Sequence, residues 1–391
     1  MKKIYLIGIV VMITSCSTSW NKDYDEGLII DKRLYYDDAL KADIKYSTLF
    51  DSLTVIPLDT IGGFIIGNVK QVKISNHYIA VLDKNSDVFI YNHDGKGVGF
   101  ISRKGQGAKE YIDVRAIDVL SDSVVCLLTF PPKLMYFKAD GQFISEHALK
   151  NRAYELGALA NGKFVLYNNS VSNGITDNAS LLEIYNSSDE TSEEFLPGFQ
   201  FMNNQLIPYF QQLQSITTVP TENELLFTHS MTNNIYAINE SGVKIKYLID
   251  FKKNNPSLHY PSKMPAEENV ANYLSKNFPV YGFNACWEND KYLHCGGYVL
   301  VKPISFLYNK TEDVFYSDFY MQDDLTHLTP FPIMATNDYL AVYYTVDNVE
   351  MYLEYLEYSG NSAKDESLSN KTIVNFAQNV GNPIIGLYHF K

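Results

Sequence analysis

Four short runs rich in β-branched and aromatic residues, parted by tight turns, recur from residue 68 to the end of the chain, and this repeat constrains the fold more than any other feature. The first set is 68–75, 78–83, 87–92 and 97–102, with Asn76-His77, 84–86 and Asp94-Gly95 as turns. The second is 116–120, 124–129, 133–138 and 143–148, again with an Asp-Gly pair, Asp140-Gly141, between its last two runs. Asp-Gly suits a hairpin because glycine reaches the positive φ that such turns require. A third set starts near Glu155 (163–167, 181–185, then a Ser/Glu-rich turn over 187–194) and a fourth near Ser215 (224–229, 234–238, 243–250). A fifth starts near Tyr281 (292–295, 304–308, 314–319) and a sixth near Phe331 (339–345).

The starts lie roughly 40 to 65 residues apart, the range of propeller blades. One small sheet cannot bury both of its faces, whereas six stacked around an axis can, and closing the ring leaves no end to cap. The predicted fold is therefore all-β, a six-bladed β-propeller. Three segments break the strand rhythm: 265–277, with Val270, Tyr273 and Leu274; Val349, Tyr352, Leu353 and Leu356; and Ile373, Phe376, Ala377 and Val380. Their helical spacing predicts three decorating helices, two of them in the sixth unit. Asn382-Pro383 ends the last helix, and 384–390 reads as a strand. The sixth unit then lacks an outer strand, and 52–58, which has no partner of its own, supplies it, so that both termini close the ring. Thirty Tyr and 22 Phe against two Trp agree with strands. One ring thus absorbs a length of 391 residues that would otherwise suggest two or three domains.

Lys2 and Lys3 precede the apolar run Ile4–Ile13, which is too short to cross a bilayer and reads as a signal peptide. It ends in Ile13-Thr14-Ser15-Cys16, which resembles a bacterial lipobox, where the cysteine is acylated and becomes the mature N-terminus. The chain divides accordingly into a signal (1–15), lipidated Cys16 with a tether (16–45), and the propeller (46–391). Acyl chains anchor by burying CH₂ groups at about 0.8 kcal/mol each, so the membrane is a partner through lipid. Ser17 resembles the outer-membrane address of such proteins, and 22–26 reads either as an acidic display tether or as a solvated linker. Removing 1–15 takes Lys2 and Lys3 with it and moves the formal charge from −13 to −15. That balance excludes a nucleic-acid partner.

Cys126, Cys286 and Cys295 remain. A hairpin turn over 288–291 would set Cys286 opposite Leu293 and leave Cys295 as a diagonal neighbour about 7 Å away, beyond disulfide reach. Three buried thiols are expected.

Val55-Ile56-Pro57-Leu58, Ile66-Gly67-Asn68, the closing Asn382-Pro383-Ile384-Ile385, and above all Arg103-Lys104-Gly105-Gln106-Gly107-Ala108-Lys109-Glu110-Tyr111 carry a family resemblance. With them the chain resembles the six-bladed β-propeller lipoproteins of gut-type Gram-negative bacteria, which are similar to NHL-repeat propellers. The 103–111 segment looks like that family's link between the first and second blades, with Ser102 in place of a Gly and Ala108-Lys109 in place of Pro-Gly. The resemblance implies an outer-membrane lipoprotein, facing the periplasm or the exterior, more firmly than it implies an activity.

Arg103, Lys104, Gln106, Glu110 and Tyr111 form the densest polar cluster and could hold an anionic or hydroxyl-rich ligand. The competing reading, favoured here, is an inter-blade connector in which Gly105 and Gly107 supply positive φ and the charges pair across blades. Lys70, Gln71, Arg115 and Asp118 lie on or beside predicted inner strands, where a funnel site would form. The oxygen ligands of 83–87 resemble the start of a calcium loop, but Val88 stands where the turn glycine belongs and Asp94 where a Glu belongs. No zinc spacing and no G-x-S-x-G is present, so no catalytic residue, metal ligand or cofactor is assigned. The residues favour a non-catalytic binding or scaffolding module, for a glycan or an envelope protein. The alternative is a calcium-dependent lactonase-like or lyase-like hydrolase using the funnel. A purely structural envelope component is a third class. Three or more carboxylate, Asn or His side chains converging at the axis would favour the enzyme, and an aromatic or mixed-charge funnel would favour binding.

Overall fold

A computed structural model describes residues 28–60, 65–121, 123–168, 180–197, 214–220, 223–230, 232–255, 270–277, 279–318, 321–359, 375 and 381–391. Its strands form six small antiparallel meanders arranged in a ring, so the chain is a six-bladed β-propeller. From the axis outward, blade 1 is Val69–Ile74, Tyr78–Asp83, Val88–Asn92 and Gly97–Ile101, and blade 2 is Asp113–Ser121, Val124–Phe130, Lys133–Lys138 and Phe143–Ala148. Blade 3 is Glu155–Ala158, Lys163–Tyr167, Ser180–Asn186 and Thr191–Pro197, and blade 4 is Ile216–Val219, Glu224–Thr228, Asn234–Asn239 and Gly242–Asp250. Blade 5 is Val280–Glu288, Tyr292–Val299, Lys302–Asn309 and Val314–Asp318. Blade 6 is Phe331–Ala335, Tyr339–Tyr344, Ile384–Phe390 and, as its outer strand, the N-terminal Phe50–Pro57. Both termini close the ring as expected, with Ile385 opposite Ile56.

Each interface between neighbouring blades holds its own apolar core. Leu82 and Ile90 of blade 1 meet Ile117, Leu127 and Phe137 of blade 2, and Leu128 and Tyr136 of blade 2 meet Leu156 and Phe164 of blade 3. The series continues through blades 3 and 4, 4 and 5 and 5 and 6. It closes where Ile56, Ala341 and Ile385 of blade 6 pack on Val72, Val81 and Tyr91 of blade 1. Strands covered on both faces read as continuous apolar runs, which is why Ile79–Leu82 and Val125–Leu128 show no polar alternation. The Asp-Gly turns serve the same interfaces. Gly95 (φ 76°) lies so close to blade 6 that a Cβ there would sit 1.9 Å from the Pro57 carbonyl oxygen, and Gly141 (φ 88°) would meet the Phe100 carbonyl of blade 1 at 2.5 Å.

The sequence reading needs four corrections. The described part of the stretch expected as tether lies against the ring: Ile30–Tyr35 pairs in parallel with Gly242–Asp250 as a fifth strand of blade 4, and Leu40–Lys41 does so with Val314–Asp318 of blade 5. Parallel edge strands have no hairpin turn to announce them. Part of the Ser/Glu-rich turn is the outer strand of blade 3, Thr191–Pro197, whose exposed face tolerates polar residues. Cys286 does not face Leu293, because a bulge between Asn284 and Trp287 sets Glu288 there instead. In the 103–111 link the positive φ falls at Lys109 (62°), not at Gly105 or Gly107. Cys126, Cys286 and Cys295 are free and buried, as expected, and burial raises the pKa of the Cys126 and Cys286 thiols, keeping them protonated.

Three helices are present among the described residues: α1 (Tyr46–Leu49), α2 (Val270–Asn277) and α3 (Val346–Ser359). The last two match expected helices, whereas the helix expected over 373–380 lies, apart from the helical Asn375, outside the described residues, as do the signal and Cys16. No described helix is long and apolar enough to cross a membrane.

One turn departs from its usual chemistry. Val299 pairs with Lys302, so the loop of this blade 5 hairpin is Leu300-Val301, and both residues have positive φ (48° and 61°). A two-residue turn of this kind normally takes Asn-Gly, because a Cβ, and above all a β-branched one, crowds the backbone there. Replacing Leu300-Val301 with Asn-Gly should raise stability by about 1–3 kcal/mol. An unchanged or lower urea midpoint would show that the turn is not strained.

Candidate functional site

In such a meander, the first-to-second and third-to-fourth turns share one end of a blade, while the second-to-third turns and the links to the next blade share the other. Turns at the first end are short, as at 75–77, 93–96, 139–142, 289–291 and 310–313. The strand ends at the opposite end bound the long connections of the sequence: 168–179, 198–215, 251–279, 319–330 and 345–383. Long loops on a rigid scaffold are where binding groups are usually mounted, so this connector end is the place to look.

The 103–111 link lies at this end and acts as a clamp. The Tyr111 hydroxyl is fully buried, accepting from the Arg103 amide (3.1 Å) and donating to the Ser86 carbonyl (3.0 Å). Its burial pushes the phenol up to about 12. Glu110 accepts from the Gly107 amide (2.7 Å), and its carbonyl accepts from Lys133 (3.0 Å). Lys104 pairs with Asp87 (2.8 Å), and the Arg103 guanidinium lies over the Phe137 and Phe143 rings of blade 2. Gln106 is exposed at the tip. These contacts fit the connector reading, in which charges pair across blades 1 and 2.

Two of the inner-strand candidates are likewise tied between blades. Gln71 Oε1 accepts from the Ile117 amide (2.7 Å), and Asp118 accepts from the Ala158 amide (2.7 Å) with Lys73 at 3.9 Å. Two carboxylates elsewhere, one buried and one partly buried, have pKa values raised by desolvation, the kind of perturbation that marks catalytic acids. Both are fully engaged in ties: Glu155 accepts from the Ser215 and Ile216 amides across blades 3 and 4, and Asp323 from the Leu325 and Thr326 amides and the Tyr388 hydroxyl. The turn at 83–87 is a hairpin in which Asp83 accepts from the Asp87 amide (2.9 Å). Among the described residues, no group of three or more His, Cys, Asp and Glu is placed to hold a metal ion.

Lys70 and Arg115 differ from these. Both stand at the connector-end starts of inner strands and share one carboxylate, Asp113, at 3.5 Å and 3.1 Å. The Lys70 ammonium also donates to the Val114 carbonyl (2.6 Å), and burial lowers its pKa while Asp113 opposes that shift. The Arg115 guanidinium lies over Phe130 and Tyr154, and Arg152 over Phe130 at 4.9 Å. Residues of blade 1, blade 2 and the link from blade 2 to blade 3 thus form one mixed-charge, aromatic cluster at the mouth of the ring. Arg152, Phe130 and Tyr154 were not singled out by sequence reasoning, because they come from a second-to-third turn and a blade link whose positions only the closed ring brings beside Arg115.

A recess of about 500 Å³ lies where the N-terminal segment before blade 6 crosses blade 5 as a strap, lined by Tyr36, Lys41, Ala42, Leu300 and Ile304 among others.

The family described as "Domain of unknown function (DUF4934)" matches residues 34–389. No curated protein matches the chain. Among solved structures, one from Bacteroides fragilis, named only as a candidate exported protein, is similar with a TM-score of 0.67 at 20% identity, covering 93% of this chain and 100% of that one. An extracellular domain of a two-component system from B. thetaiotaomicron has a TM-score of 0.37 at 12% identity, over 68% of this chain and 29% of that one. A virginiamycin B lyase from Staphylococcus aureus has a TM-score of 0.39 at 15% identity, over 75% and 81%.

Proposed function

We propose that this chain, which belongs to the DUF4934 family, is a non-catalytic binding propeller of the cell envelope, held at a membrane by lipid on Cys16 and recognising a glycan or an envelope protein at its connector end. The observation that carries this reading is the cluster of Lys70, Arg115, Asp113, Phe130, Arg152 and Tyr154. It has the mixed-charge, aromatic character that suits recognition, rather than a convergence of carboxylates suited to calcium chemistry. The signal and lipobox at 1–16 supply the address, and the B. fragilis relative, named as a candidate exported protein, is in line with it.

The test is a screen of the protein against envelope and plant glycans with and without a chelator. Saturable binding that survives chelation is expected, whereas calcium-dependent turnover of a lactone or glycan would establish the hydrolase instead. The anchor is checked separately: Cys16→Ala should release the protein from membranes, and continued retention would refute lipidation.

A further inference from the structure

Within that binding reading, on which this step rests, we propose that the ligand is a saccharide bearing a carboxylate, and that Lys70, Arg115 and Arg152 form the subsite for that group. The chain carries a formal charge of −13, yet in this corner Lys70 and Arg115 share the single carboxylate of Asp113 and Arg152 lies over the same Phe130 ring as Arg115. Asp83 adds only a field on Lys70, and Arg152, which is exposed, has no carboxylate partner among the described residues.

Orientation matters as much as charge. A guanidinium laid over a ring face keeps its N–H edges pointing outward and loses side-chain freedom before any ligand arrives. Arg115 is held over Phe130 and Tyr154, and Arg152 over Phe130. Two such forks suit a planar carboxylate, which takes parallel N–H bonds from each. Lys70 donates to Val114 and pairs with Asp113, so its third N–H is available to the same group. Its partial burial makes an added anion more valuable there than at an exposed lysine.

The cations, one from blade 1, one from blade 2 and one from the link that follows blade 2, gather in one small area instead of following an extended line, and Phe130 and Tyr154 are each only partly buried. A compact pyranose, with its carboxylate on the forks and its C–H face against the exposed part of the rings, fits that arrangement better than an extended acidic peptide.

The experiment measures binding of the mature chain in detergent to an oligogalacturonate, to its methyl ester, and to poly-glutamate. Tight binding to the acid form is expected, with at least a tenfold loss on esterification and weakening as salt rises. Arg152→Ala should lose about tenfold with an unchanged melting temperature, since its exposed side chain ties no blades together, and Arg152→Lys should recover only part of that loss. Equal binding of acid and ester, or an Arg152→Ala variant that binds like the native chain, would overturn this inference while leaving the binding reading intact. Poly-glutamate bound in preference to the uronate would replace the saccharide with a peptide. Failure to bind any saccharide, charged or neutral, would count against the glycan reading itself.

Discussion

Replacing Glu288 with Ala is expected to cost about 3–5 kcal/mol, a large share of the stability of an ordinary domain. Glu288 is fully buried at the end of the blade 5 inner strand. It accepts from Lys246 (2.8 Å) and Tyr247 (2.6 Å) of blade 4 and pairs closely with Lys310 of blade 5; Lys246 in turn pairs with Glu224. Two carboxylates thus face two ammonium groups inside an interface, and each charge is compensated. Removing Glu288 leaves Lys310 without its carboxylate and Lys246 with only one, both in a medium that screens poorly. Such a network is costly to break rather than intrinsically stabilising, so the expected cost belongs to the under-compensated charge left on the two lysines. A double-mutant cycle with Lys310→Met isolates it: the pair of substitutions should be less damaging than the sum of the singles. Additive effects, or a single substitution costing under about 1 kcal/mol in urea denaturation, would show that blades 4 and 5 do not depend on this charge network.

The second large effect is acid lability centred on His229. The ring is fully buried beside Phe227 and Tyr167, and desolvation lowers its pKa from 6.5 to about 3. In the unfolded chain the same imidazole takes up a proton near pH 6.5, so the unfolded state binds more protons between the two values. Stability contributed by neutral His229 is therefore fully present above pH 6.5 and is lost as pH falls towards 3, at about 1.4 kcal/mol per pH unit. Asp323 works in the opposite sense. Its folded pKa is raised above 3.8, so its contribution is held at lower pH and lost as pH rises through the raised value. Comparing variants separates the two. Between pH 7.5 and 5.0 the native protein should lose about 2 kcal/mol more than His229→Phe. Parallel losses would mean that His229 does not set the acid limb.

How much of this was visible beforehand follows from what each signal depends on. Strand runs and Asp-Gly turns are local, so the blades, their order and the closing strand Phe50–Pro57 could be read from the sequence. The strap at Ile30–Tyr35 could not, because a parallel edge strand is defined by a partner more than two hundred residues away. The bulge that moves Cys286 lies between Asn284 and Trp287 and leaves no mark in the spacing of the cysteines. At the site, Lys70 and Arg115 were legible as polar residues on inner strands, whereas Arg152 gave no signal of its own. Its role depends on Phe130, the last residue of the second strand of blade 2, which only the folded sheet brings beneath it. The 103–111 segment shows the reverse case: the most conspicuous motif in the sequence is a clamp, since its tyrosine and glutamate are used by backbone groups within the link and blade 1.

The account stands on recognition at the connector end near the axis of blades 1 to 3. Amide hydrogen exchange of the mature chain with and without a bound oligogalacturonate tests this most directly. Slowed exchange is predicted at 103–115, 130–133 and 149–155, with the short turns at 93–96, 139–142 and 310–313 unchanged. Protection confined to those short turns, or to the strap recess around Lys41 and Leu300, would place recognition elsewhere and contradict the account.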